Sequence, residues 1–100
     1  MKVNIQSIHF DADKKLLEFI TKKTQKINSI LDEINFADVF LRLEKDQEKN
    51  NKSVEVKINI LGNQLFAKEN SNTFENATDI AIDKVKAQAR KLKERVQDKS

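Results

Sequence analysis

A chain of 100 residues, 38% hydrophobic and 35% charged, is expected to form one highly charged domain spanning 1–100, because two cores would each bury too little apolar surface. Zero Cys removes disulfides, thiolate metal sites and cysteine nucleophiles together, and the interrupted apolar runs exclude a membrane-spanning helix. The net charge of +3 is modest but segregated: residues 14–26 carry five Lys against Glu18 alone, and residues 84–95 carry six Lys or Arg against Glu94 alone.

The N-terminus MKVNIQSIHF lacks the continuous apolar stretch of a secretory signal, so a cytoplasmic protein is expected. Val3 and Ile5 alternate with Asn4 and Gln6, which predicts a first strand over about 2–8 with one buried face. Asp13 stands as an N-cap before Leu16, Ile20, Ile27, Leu31 and Ile34, whose spacing predicts a helix over about 14–32, with Leu17, Phe19 and Ile30 widening its apolar face. Val39, Leu41 and Leu43, and then Val54, Val56, Ile58 and Ile60, alternate on either side of the polar stretch KDQEKNNK and predict a hairpin with a long tip. Gly62-Asn63 marks a turn into a fourth strand containing Leu65, Phe66 and Ala67. Thr73 caps a last helix over about 74–97 with apolar positions Phe74, Ala77, Ala81, Val85, Leu92 and Val96. The order βαβββα, with one apolar face per element, predicts an α+β fold in which two helices cover one face of a four-stranded sheet.

Measured from the apolar stripe of the last helix, Lys84, Gln88, Lys91 and Arg95 line one flank and Lys86 and Lys93 the other, while Asp79, Asp83 and Glu94 occupy the outer pole near Arg90. On the first helix Lys22 and Lys26 share an outer edge, and Lys23 borders the apolar stripe, where its stem can pack and its ammonium reach water. Cations spaced by single helical turns suit the phosphates of a structured RNA. The plainer alternative, that these helices merely carry solvated charge, holds for many small α+β domains. Absence of Tyr and Trp argues against a reader of single strands by stacking; Phe36, Phe40 and Phe66 remain as candidate platforms, but they are expected to pack at sheet edges or under loops.

An enzyme finds little support. His9 is the only histidine, so neither a His pair for a metal nor a Ser-His-Asp set is available. Asp11 and Asp13 precede a helical stripe and read as capping residues, Asp79 suits the helix macrodipole, and no phosphate-cradling glycine loop exists. No catalytic residue, metal or cofactor is expected.

The closing segment TFENATDIAIDKVKAQARKLKER resembles ribosome hibernation-promoting factors and ribosome-associated translation inhibitors, with Ala77, Asp79, Asp83, Lys84, Gln88, Lys91 and Lys93 at the family's spacing. Phe19, Lys23 and Lys26 in LLEFITKKTQKI, Leu43, Glu44 and Lys45 in LRLEK, and Ala67 extend the resemblance over nearly the whole chain. Glu75 stands where relatives often carry Tyr, and Asn70 or Ser71 where they carry glycine. The resemblance implies a fold similar to double-stranded RNA-binding domains and docking onto small-subunit ribosomal RNA near the decoding centre. Messenger and transfer RNA would thereby be excluded under stress or in stationary phase. It assigns phosphate contacts to Lys23, Lys26, Lys84, Lys91 and Lys93, supported through charge by Lys22, Lys86, Arg90 and Arg95, and a sugar or base contact to Gln88. The expected partner is the ribosome, with no membrane and no DNA. The protein is expected to be a monomeric short form without a C-terminal dimerisation domain, acting alone or beside a separate ribosome-dimerising factor. Two other readings fit the residues: a generic module for structured RNA, and a protein adaptor that uses the acidic first hairpin, since residues 32–48 carry Asp32, Glu33, Asp38, Glu44, Asp46 and Glu48 against only Arg42 and Lys45.

Overall fold

Alternation decides which side of each strand meets the helices, and the computed structural model, which describes residues 1–45, 48–60 and 62–98 with side chains as far as 95, follows it throughout. Strand β1 (Lys2–Ile8) is followed by helix α1 (Lys14–Gln25), strands β2 (Phe36–Leu43), β3 (Lys52–Ile60) and β4 (Asn63–Ser71), and helix α2 (Phe74–Asp98). The strands form one sheet in sequence order. β1 lies parallel to β2 with Ile5 opposite Val39, and two antiparallel pairs follow, placing Val56 between Val39 and Ala67. Val39, Leu41, Val54, Val56 and Ile58 are buried beneath the helices. Val3 and Ile5 stay half-buried because β1 is an edge strand.

The caps form as the residue types require. The Asp13 carboxylate accepts from the Leu16 N–H at 2.7 Å, and the Thr73 hydroxyl from the Asn76 N–H at 3.0 Å, each satisfying a donor that the helix start leaves over. Gly62 adopts φ +74 with open space around it, so the turn selects glycine for its backbone conformation rather than for room.

The first helix ends earlier than its apolar spacing predicts. After Gln25 the chain tightens into a 3-10 turn, Lys26–Ser29, where the Ser29 hydroxyl donates to the Lys26 carbonyl at 2.7 Å and the Asn28 amide to that of Leu31 at 3.1 Å. Short polar side chains that bond nearby carbonyls compete with the α ladder, and here they win. Ile27, Leu31 and Ile34 remain buried, so the tightening keeps the apolar face inward. Leu17 does not join the core: it lies with Lys14, Glu18, Thr21, Lys22 and Gln25 around a shallow groove on the outside of α1.

Helix α2 packs mainly on β3 and β4 and buries Phe74, Ala77, Ala81, Val85 and Leu92 as expected; the side chain of Val96 lies outside the described residues, as do Asp46 and Gln47 of the hairpin tip. The stripe is wider than the sequence spacing predicts, with Thr78, Ile82 and Ala89 also buried. Buried Thr24 and Thr78 each donate to a carbonyl four residues earlier, at 2.7 Å, and no described buried side-chain polar atom lacks a partner. Phe10, in the β1–α1 connection, stacks on Phe74 with ring centroids 4.9 Å apart, tying that connection to the first turn of α2. No helix among the described residues is long and apolar enough to cross a membrane.

Candidate nucleic-acid interface

A helical turn of about 100° per residue places Phe19, Lys23 and Lys26 toward one side of α1 and Leu17 and Thr21 on the other, with Lys22 between them at the rim of the outer groove. The lysine side faces α2: Lys23 Nζ lies 3.2 Å from Asp79 Oδ1 and 5.5 Å from the centroid of the Phe19 ring. Its stem packs while its charged head bridges the helices, and its side chain is 33% exposed. Lys86 and Lys93 follow Asp79 at seven-residue steps and therefore continue the same line along α2, with Arg90 one step further out. Lys22, Lys26, Arg90 and Lys93 are exposed and Lys86 is half-buried. Five cations, Lys23, Lys26, Lys86, Arg90 and Lys93, thus line the seam side of α1, the 3-10 turn and α2, with Asp79 between them and Lys22 on the outer side of α1.

The opposite flank of α2 turns toward the edge strand β4. Lys84 forms an ion pair with Glu69, whose side chain is only 18% exposed. Gln88 spends both ends of its amide on one residue: Nε2 donates to the Phe66 carbonyl at 2.6 Å, and Oε1 accepts from the Phe66 N–H at 2.8 Å. Lys91 and Arg95 extend this flank and are exposed. Nine of the ten residues singled out in the sequence therefore fall on two surfaces: Lys23, Lys26, Lys86, Arg90 and Lys93 on the seam side of the helices, and Lys84, Gln88, Lys91 and Arg95 on the β4 side, while Lys22 lines the outer groove of α1.

Spacing within each helix was enough to sort the flanks, but not to find the partners across elements. The roles of Asp79 and Glu69 as counter-charges, and the hold of Gln88 on β4, depend on how α2 sits against α1 and the sheet. On the helix-free side of the sheet, sequence reasoning weighs stacking platforms against packed rings and favours packing. Phe36 and Phe66 are 48% and 40% exposed there and Phe40 is half-buried, so the expectation that these rings pack away is not met. Strand parity carried that signal: Phe36 and Phe40 alternate with buried Ala37, Val39 and Leu41, and so must face away from the helices. No cluster of three or more His, Asp or Glu side chains suited to a metal occurs among the described residues.

Residues 3–97 match the family described as Sigma 54 modulation protein / S30EA ribosomal protein. A ribosome hibernation promoting factor of Pseudomonas putida is 30% identical over 97 residues, which cover 97% of this chain and 91% of that relative. Among solved structures, a ribosomal subunit interface protein from Coxiella burnetii shares the fold with a TM-score of 0.81 at 24% identity, over 93% of this chain and 98% of the other. The N-terminal domain of Thermus thermophilus Protein Y does so with a TM-score of 0.79 at 18% identity, over 92% and 99%. With nearly every residue inside the match and the βαβββα order of its elements shared with those structures, the chain belongs to the Sigma 54 modulation protein / S30EA ribosomal protein family.

Proposed function

We propose that this protein is a cytoplasmic, non-enzymatic ribosome hibernation factor that occupies the small subunit near the decoding centre and blocks the messenger and transfer RNA sites under stress or in stationary phase. The observation that carries this reading is the basic seam, where Lys23, Lys26, Lys86, Arg90 and Lys93 sit on α1, the 3-10 turn and α2, with α1 and α2 joined by the Lys23–Asp79 ion pair and Lys22 adding charge on the outer side of α1. Cations at successive turns meet successive phosphates and release condensed counterions, which makes binding strong and salt-sensitive without any base-specific contact. Lys91 and Arg95 add charge on the other flank of α2, so the helix presents cations to RNA on two sides. Membership of a family whose curated relative is named a hibernation promoting factor supports the ribosome as the RNA concerned. The mechanism is steric exclusion and requires no bond to be made or broken.

Purified protein mixed with isolated bacterial small subunits and pelleted through sucrose tests the proposal. Saturable co-sedimentation at one copy per subunit is expected, weakening with salt by roughly 0.7–0.9 in the slope of log affinity against log salt for each phosphate contacted. Protein that stays in the supernatant while binding free RNA duplex would instead mark a general module for structured RNA.

A further inference from the structure

The helices cover one side of the sheet and leave the other open. Along the open side, outward residues form cross-strand rows: Asn4, Asp38, Lys57 and Phe66 in one, and Gln6, Phe40, Glu55 and Lys68 in the next. Lys57 stands at the centre, its ammonium 5.6 Å from the centroid of the Phe40 ring and 6.0 Å from that of Phe66. The two acids of these rows each oppose a cation in register, Asp38 with Lys57 and Glu55 with Lys68. Lys2 and Arg42 then leave the face with a surplus of two positive charges. Beside Phe40, a cavity of about 100 Å³ is lined by Arg42, Ser53, Glu55 and Lys68.

We infer that this open sheet face is a second nucleic-acid surface, which takes single-stranded RNA by stacking bases on Phe36, Phe40 and Phe66 while Arg42, Lys57 and Lys68 meet its phosphates. Interleaving decides the class of partner. The rings are separated by charged and amide side chains, so they form no continuous apolar patch of the kind a protein interface buries at its centre. Two copies of the chain meeting face to face would oppose like surplus charge. A polynucleotide instead offers what this surface lacks, flat π-faces for the rings and a regular line of negative charge for the cations between them. The cavity beside Phe40 places cations next to the hydroxyl of Ser53 and the carboxylate of Glu55, a mixture that suits a phosphate with its neighbouring sugar or base amine. The choice of RNA over DNA rests on the ribosomal reading above, whereas the stacking surface does not.

Fluorescence anisotropy with a labelled ten-nucleotide adenylate RNA tests the inference on the full chain. The protein should bind in low salt, and Phe36→Leu with Phe66→Leu should weaken binding by about tenfold or more, since each base stacked on a ring contributes strongly and sequence-tolerantly. Both rings are exposed, so the variant should keep its circular dichroism and its thermal midpoint. The same variant should pellet with small subunits as the wild type does, which separates this surface from the helical seam. Lys86→Glu with Lys93→Glu should do the reverse, losing the subunit while keeping most of the binding to the short strand. No binding of the oligonucleotide in low salt, or equal binding by the folded double-leucine variant, would overturn the inference. So would parallel loss of oligonucleotide and subunit by that variant, which would merge the two surfaces into one.

Discussion

Lys84 and Gln88 stand four residues apart on α2 and reach the same strand, yet they hold it differently. The Lys84–Glu69 pair is partly solvated, its side chains 58% and 18% exposed, and pairs near the surface contribute about 0–1 kcal/mol. Gln88 closes two hydrogen bonds onto the Phe66 backbone, each worth about 0.5–1.5 kcal/mol net. Gln88→Ala should therefore destabilise the domain by about 1–3 kcal/mol, lowering the thermal midpoint by roughly 4–24 °C. Gln88→Glu should recover part of the loss, because a carboxylate accepts from the Phe66 N–H but has nothing to donate to its carbonyl. Calorimetry on the three proteins checks the ordering, and equal midpoints for all three would mean that the amide contributes nothing. The same geometry bears on the contact to sugar or base that the family resemblance assigns to Gln88, since the Phe66 backbone leaves RNA only the second Nε2 proton and the second Oε1 lone pair of the amide.

At the scale of elements, local rules wrote most of the fold and tertiary contacts wrote the rest. The bounds of β1 follow from alternation alone, and both helix starts follow from Asp13 and Thr73, because these signals lie within a few residues of what they determine. The overlong first helix shows where apolar spacing misleads: Ile27 and Leu31 are four apart in α and 3-10 geometry alike, and only the hydroxyl of Ser29 and the amide of Asn28 distinguish the two. The buried stripe of α2 was read too narrow because Thr78 and Ala89 are weakly apolar as residue types, and only packing against the sheet and α1 shows them inside. Ile82 is part of that same stripe, 2% exposed. Ile82→Ala should cost about 2–5 kcal/mol through lost burial and the cavity left behind. Urea unfolding should report this as a lower midpoint with an unchanged slope.

For the molecule as a whole, the division of cations between two flanks of one helix makes the proposed docking surface separable by experiment. Lys86→Glu with Lys93→Glu removes charge from the seam, and Lys84→Glu with Lys91→Glu from the β4 side. These positions lie off the main apolar stripe, so both variants should fold. If the seam leads, the first pair should abolish pelleting with small subunits and the second weaken it; equal loss would mean that the RNA grips α2 from both sides. The hold of Gln88 on Phe66 has a further consequence at this scale. Each outer strand of an open sheet offers a row of spare amides and carbonyls on which another copy of the chain can add a strand, the first step toward ribbons and fibres. On β4 the middle of that row is already occupied by a side chain from the protein's own helix, which stands in for one residue of a fifth strand. The sheet thereby keeps its open face uncovered while the edge beside it is closed to a second copy of the chain.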